Sequence, residues 1–95
     1  MTFERNYLAV KNRGLITSET TKQDFIEKIK EEFGEFEDEV TTGLHMTDSE
    51  AEELADFVNA ACNLLIFSGR NPEIELEKVA IKNENRANEH RKSNQ

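Results

Sequence analysis

Tryptophan is absent from this sequence, and cysteine and proline each occur once. A lone cysteine, Cys62, cannot close an internal disulfide, so nothing points to an oxidising compartment. No apolar run approaches the roughly 18–20 residues of a membrane span. No signal peptide is read at the start, so the expected location is cytoplasmic, with no membrane partner. Positive charge is also short: 12 Lys and Arg stand against 20 Asp and Glu, a formal charge of -8. That balance argues against a nucleic-acid partner, because non-specific binding depends on basic side chains neutralising phosphates. Ninety-five residues allow one domain. Folded alone, such a chain buries only about two-thirds of its surface, so help from a second copy is expected.

What is present is Glu, Lys, Ala and Leu, with four glycines as sparse punctuation. That mixture favours helices. The spacing predicts four of them. The first covers about Phe3 to Asn12 and ends at Arg13-Gly14. The second runs from Thr21 to Thr42, where Phe25, Ile29, Phe33, Phe36 and Val40 recur every three or four residues and form a stripe roughly 80° wide. Gly34 interrupts that pattern, which suggests a close backbone approach, and Gly43 is the expected C-terminal cap. Thr47-Asp48-Ser49-Glu50 has capping-box spacing and opens the third helix. Phe57 to Phe67 of that helix is apolar nearly all round, as in a helix buried centrally or at an oligomer interface. Asn71-Pro72 opens the fourth helix, expected to reach Asn88. The expected fold is therefore an all-α four-helix bundle over residues 1–88, with a polar, frayed tail over 89–95.

Two acidic clusters stand out. The first is Glu31-Glu32-Phe33-Gly34-Glu35, an E-E-x-x-E pattern, with Glu39 one turn on. The second is Glu53-Leu54-Ala55-Asp56, an E-x-x-D pattern. With the second helix's apolar stripe at 0°, Glu32, Glu35 and Glu39 lie at roughly -60°, -120° and -80°. On the third helix, Glu53 and Asp56 lie at roughly -40° and -100° from its apolar face. Both clusters thus flank the core, and antiparallel neighbouring helices would bring them together. Four facing carboxylates repel one another unless some take up protons or a cation sits between them. An oxygen-only donor set favours Mg²⁺ or Mn²⁺. The plain alternative is a solvated acidic helix face, because Glu is a good helix former.

E-E-x-x-E followed by E-x-x-D, with 17 residues between Glu35 and Glu53, resembles the signature of the MazG-like, all-α nucleoside triphosphate pyrophosphohydrolases. The segment Lys78 to Arg86 is similar to that family's K-x-x-x-N-x-x-R ending. Asn83 and Arg86 hold the right mutual spacing, and Val79 stands where the family has Lys, flanked by Lys78 and Lys82. The resemblance covers about residues 3–88. It implies hydrolysis of the α–β phosphoanhydride of a (d)NTP to a (d)NMP and pyrophosphate, with Mg²⁺ as cofactor, in a homodimer or homotetramer. By motif position it implies that Glu32, Glu35, Glu53 and Asp56 ligate metal, and that Glu31 is a further acidic residue at the catalytic site. Lys78, Lys82, Asn83 and Arg86 become candidate substrate contacts.

Many relatives in that family stack a Trp on the base, and this chain has none. Phe3 and Tyr7 are alternatives, although an amphipathic first helix would bury both. Asn63, near Asp56 on the wheel, and Asn59 are candidates for reading a base edge, or for bonding a neighbouring helix. Cys62 reads as a small core hydrophobe. His45 lies in a loop and His90 in the tail. Two other functions stay open: a phosphoribosyl-ATP pyrophosphatase-like enzyme, which shares the acidic motifs, and a non-catalytic acidic helical module that binds a partner.

Overall fold

The computed structural model describes residues 2–93. These form four helices, α1 (Thr2–Asn12), α2 (Lys22–Glu39), α3 (Asp48–Phe67) and α4 (Pro72–Ser93), with no strand among the described residues. The all-α expectation therefore holds. No helix among them is long and apolar enough to cross a membrane.

Local chemistry sets the helix ends. Thr21 and Asp24 form a reciprocal capping box at the start of α2, and Thr47 and Glu50 form another at the start of α3. Each box satisfies orphan N–H groups of the first turn, and an N-cap of this kind contributes about 1 kcal/mol. The Asn71 side-chain oxygen accepts from the N–H of Glu73 at 2.9 Å, with Pro72 at the first helical position of α4. Helices α1 and α3 both end on a glycine in the left-handed region, Gly14 at φ +79° and Gly69 at φ +77°. In α3, Arg70 N–H reaches Leu65 O at 2.8 Å and Gly69 N–H reaches Ile66 O at 3.0 Å. That paired closure is a Schellman motif, and it needs a residue without Cβ strain.

Two boundaries differ from the sequence reading. Helix α2 stops at Glu39, and Val40 is its cap in extended conformation, so Gly43 caps nothing. Val40, Thr41 and Thr42 are β-branched and poor helix formers. Thr41 instead donates its N–H and hydroxyl to the Glu50 carboxylate, at 3.4 and 3.0 Å, which ties the loop to α3. Helix α4 continues to Ser93, so most of the segment expected to fray is helical. Asn94 and Gln95 of that segment lie outside the described residues. Gly34 shows no close approach either: a Cβ built there meets nothing within 4 Å.

Helix α3 is the centre of the fold, in contact with α1, α2 and α4. It runs antiparallel to α2. Phe25, near the start of α2, packs on Phe67 at the end of α3, with ring centroids 4.6 Å apart. Further along, Phe33 packs on Phe57 at 5.4 Å. Ile16, Phe25, Ala60 and Cys62 are buried apolar residues of the core. Helix α4 is different. Pro72 is buried at its start, but Ile74, Leu76, Val79 and Ile81 are exposed. The chain is correspondingly open. Its radius of gyration is 16.8 Å, against about 12 Å for a compact domain of this length. Its accessible surface is 7426 Å², against about 5,600 Å² for a compact monomer of this mass.

Candidate metal centre

The α2–α3 pair positions the acidic groups. Glu32 precedes Phe33, and Asp56 precedes Phe57. The Phe33–Phe57 contact therefore fixes the register that sets Glu32 against Asp56 and Glu53. Carboxylate oxygens of Glu32, Glu53 and Asp56 all lie within 4.8 Å of one another. A second set, Glu31, Glu32 and Glu35, meets the same limit, so Glu32 belongs to both. Glu32 is only 8% exposed, Glu53 is half-buried, and the other three are exposed. The antiparallel arrangement expected from the helical wheel thus brings the two motifs together.

The electrostatics follow from this crowding. Burial pushes the Glu53 carboxyl above the ordinary carboxylate value, and the charges of Asp56 and Glu32 add to that. Its Oε2 is buried without a hydrogen-bond partner. Glu35 is raised too, first by the charge of Glu32 and then by desolvation. One cation is already at hand. The Lys28 ammonium lies 2.8 Å from Glu32 Oε1 and 3.5 Å from Glu31 Oε1. The hydrogen bond to Glu32 is the main reason its pKa is raised. The sequence reading passed over Lys28, although its spacing of four from Glu32 was the signal.

These residues fit a hard divalent cation. The donors are all carboxylate oxygens, which suits Mg²⁺ or Mn²⁺ better than softer metals. A single ammonium leaves Glu53 and Asp56 without a cationic partner, and one Glu53 oxygen is buried with no hydrogen-bond donor to offset its desolvation.

Not every acid on these helices joins the cluster. Glu39 accepts a short hydrogen bond from the Ser49 hydroxyl instead. Glu50, 4% exposed, accepts from Thr47 N–H and from Thr41, and these donors hold its pKa below the ordinary value.

A cavity of about 430 Å³ opens beside the cluster, between α1, the following connector, α2 and α3. Glu32 and Asp56 border it at the acidic end, together with Lys28, and Asn59 and Asn63 line it further along α3. The candidate contacts on α4 are elsewhere. Lys78, Lys82, Asn83 and Arg86 are exposed and do not border this cavity, and Lys78 pairs with Glu75 at 3.3 Å. A single chain does not bring them to the carboxylates. Phe3 and Tyr7 are half-buried on α1, and neither borders the cavity. Cys62 is buried, and burial pushes its thiol up, away from the reactive thiolate. His45 is exposed in the loop before α3.

No protein-family model, curated protein or solved structure matches this chain.

Proposed function

We propose that the protein is a Mg²⁺-dependent nucleotide pyrophosphohydrolase, cleaving a (d)NTP to a (d)NMP and pyrophosphate, of the MazG-like kind. The observation that carries this reading is the meeting of Glu32, Glu53 and Asp56 across two helices beside a cavity of ligand size. Glu32, Glu35, Glu53 and Asp56 would hold the metal. When bound, the metal supplies charge neutralisation for the phosphates and lowers the pKa of a water nucleophile. Glu31, exposed at the edge of the cluster, would orient water. Lys28, held by Glu32 and Glu31, can turn to a phosphate oxygen once its carboxylate partners are engaged elsewhere.

The reading includes self-association as a homodimer or homotetramer. The exposed apolar residues of α4 and the excess surface of the single chain support this. A second copy would also give Lys78, Lys82, Asn83 and Arg86 a route to a neighbouring acidic cluster.

One observation favours the rival reading of a non-catalytic acidic module: Lys28 already neutralises part of the cluster within its own chain. Pyrophosphate release from a panel of nucleotides separates the two. Release is expected with Mg²⁺, absent in chelator, and reduced about 100-fold or more in Glu53→Gln and Asp56→Asn. No release from any nucleotide would overturn the enzyme reading. Sedimentation should show a dimer or larger species at micromolar concentration, and a stable monomer would count against self-association.

A further inference from the structure

Among the described residues, Glu32 is common to both carboxylate sets, and it is also the residue that Lys28 holds. The ammonium lies 2.8 Å from Glu32 Oε1, within the range of a charge-assisted hydrogen bond, and 3.5 Å from Glu31 Oε1. The two partners differ in their access to water. The Glu32 side chain is 11% exposed and that of Lys28 is 54% exposed. Glu32 is withdrawn into the α2–α3 packing, whereas Lys28 reaches it from the surface on a flexible four-carbon stem.

The pair adds little to α2 as a helix. Lys precedes Glu at i,i+4, the less favourable order, and ordinary surface pairs of this kind contribute little. Its consequence lies in where the charge is delivered. The ammonium gives positive charge to a withdrawn carboxylate that meets Glu35 on one side and Glu53 and Asp56 on the other. In the metal-free fold that charge offsets part of the mutual repulsion. A divalent cation on Glu32 would have the same sign of charge as the ammonium beside it, and like charges in a partly buried site are poorly screened. Two cations therefore oppose each other at one carboxylate. The ammonium is the one that yields, because its side chain is half in water already.

We propose that Lys28 is a tethered counter-ion that competes with the divalent cation for Glu32, supporting the metal-free fold and weakening metal binding at once. This rests on the metal site of the pyrophosphohydrolase reading and names the residue that sets that site's affinity. The two effects have opposite signs, which a merely structural lysine would not produce: its loss would weaken the fold and the metal site together.

The test uses the full chain with Mn²⁺ as the probe, since it shares the oxygen-donor preference and its free form is read by electron paramagnetic resonance. Lys28→Met should tighten Mn²⁺ by about fivefold or more, the size of a typical coupling between two ligands. The same variant should melt a few degrees below wild type in chelator. Lys28→Arg keeps the charge and should stay near wild type in both measurements. Lys30→Met removes the same charge from an exposed position two residues on and should leave Mn²⁺ affinity within about twofold. If Lys28→Met fails to fold, Lys28→Gln reads the same change. Unchanged or weaker Mn²⁺ binding in the Lys28 variants overturns the proposal. So does an equal gain in Lys30→Met, which would make the effect one of net charge, and so does an absence of Mn²⁺ binding in every form. Pyrophosphate release by wild type with no gain in affinity from Lys28→Met removes this inference and leaves the hydrolase. Tighter Mn²⁺ in Lys28→Met without release of pyrophosphate from any nucleotide by wild type removes the hydrolase and leaves the counter-ion.

Discussion

Glu50 and Glu53 lie one turn apart on α3, both withdrawn from water, and their circumstances are opposite. Glu50 is met by donors: Thr47 N–H at 3.2 Å, the Thr41 hydroxyl at 3.0 Å and Thr41 N–H at 3.4 Å. Its pKa is lowered, so the fold favours its charged form. Glu53 is met by acids. Glu32 and Asp56 face it, one of its oxygens has no partner, and its pKa is raised. A buried carboxylate surrounded by donors closes a helix end and ties down a loop. A half-buried carboxylate surrounded by carboxylates is a strain on the metal-free fold, which a bound cation would relieve.

The sharpest way to break that contrast is to neutralise each residue in turn and watch the response to Mg²⁺. A ligand present at 100 times its dissociation constant stabilises the folded state by about 2.7 kcal/mol. For a domain of this size that raises Tm by roughly 10 °C or more. Wild type and Glu50→Gln should both show this rise. Glu53→Gln and the double variant Glu32→Gln/Glu35→Gln should lose most of it. In chelator the order reverses. Glu50→Gln should melt below wild type, because the capping box and the Thr41 tie lose their charged acceptor. Glu53→Gln should melt at or above wild type, because repulsion is removed. A full Mg²⁺ response in Glu53→Gln would show that the cluster binds its cation without Glu53, and the contrast would collapse.

A smaller effect is expected from pH, and its sign differs between the two residues. Glu53 and Glu35 have raised pKa values in the folded state, so folding is accompanied by proton uptake. Their contribution to metal-free stability grows as pH falls through those raised values, and it is complete below the ordinary value of 4.5. Glu50 has a lowered pKa. Its contribution is complete above 4.5 and is lost as pH falls through its folded value. Melting in chelator should therefore show Tm climbing from neutral pH into the mildly acidic range, then dropping. Glu53→Gln should flatten the climb, and Glu50→Gln should soften the drop. A monotonic fall of Tm from neutrality in wild type would mean that the cluster is not strained.

The difference between the two glutamates was half legible in the sequence. Thr47-x-x-Glu50 announces a capping box, because the motif is local and its partners lie within one turn. The meeting of Glu32 with Glu53 and Asp56 was legible from helical angles, given antiparallel neighbours. The second bond set of Glu50 was not, because Thr41 reaches it only after α2 stops at Glu39, and helix ends are set by such tertiary ties. Lys28 was visible as a spacing but not as a competitor for the cluster, since its choice of Glu32 depends on how far that carboxylate is buried. The exposure of α4 was hidden for a different reason. Its apolar residues promise burial without saying against what, and one chain offers α4 few partners.

Gly34 supplies the smallest effect and a final test of where the site ends. It sits between Glu32 and Glu35 in the middle of α2, with ordinary helical backbone and open space where a Cβ would point. On those grounds alone Gly34→Ala should stabilise the fold by about 0.5–1 kcal/mol, since Gly is the poorer helix former. That corresponds to a rise in Tm of a few degrees. Pyrophosphate release should stay within about twofold of wild type, because no carboxylate moves. A variant that gains Tm but loses Mg²⁺-dependent turnover would give a different answer. The empty space over Gly34 would then be filled during function, by substrate or by a second copy, and this glycine would belong with Glu53 as a residue the single chain leaves unfinished.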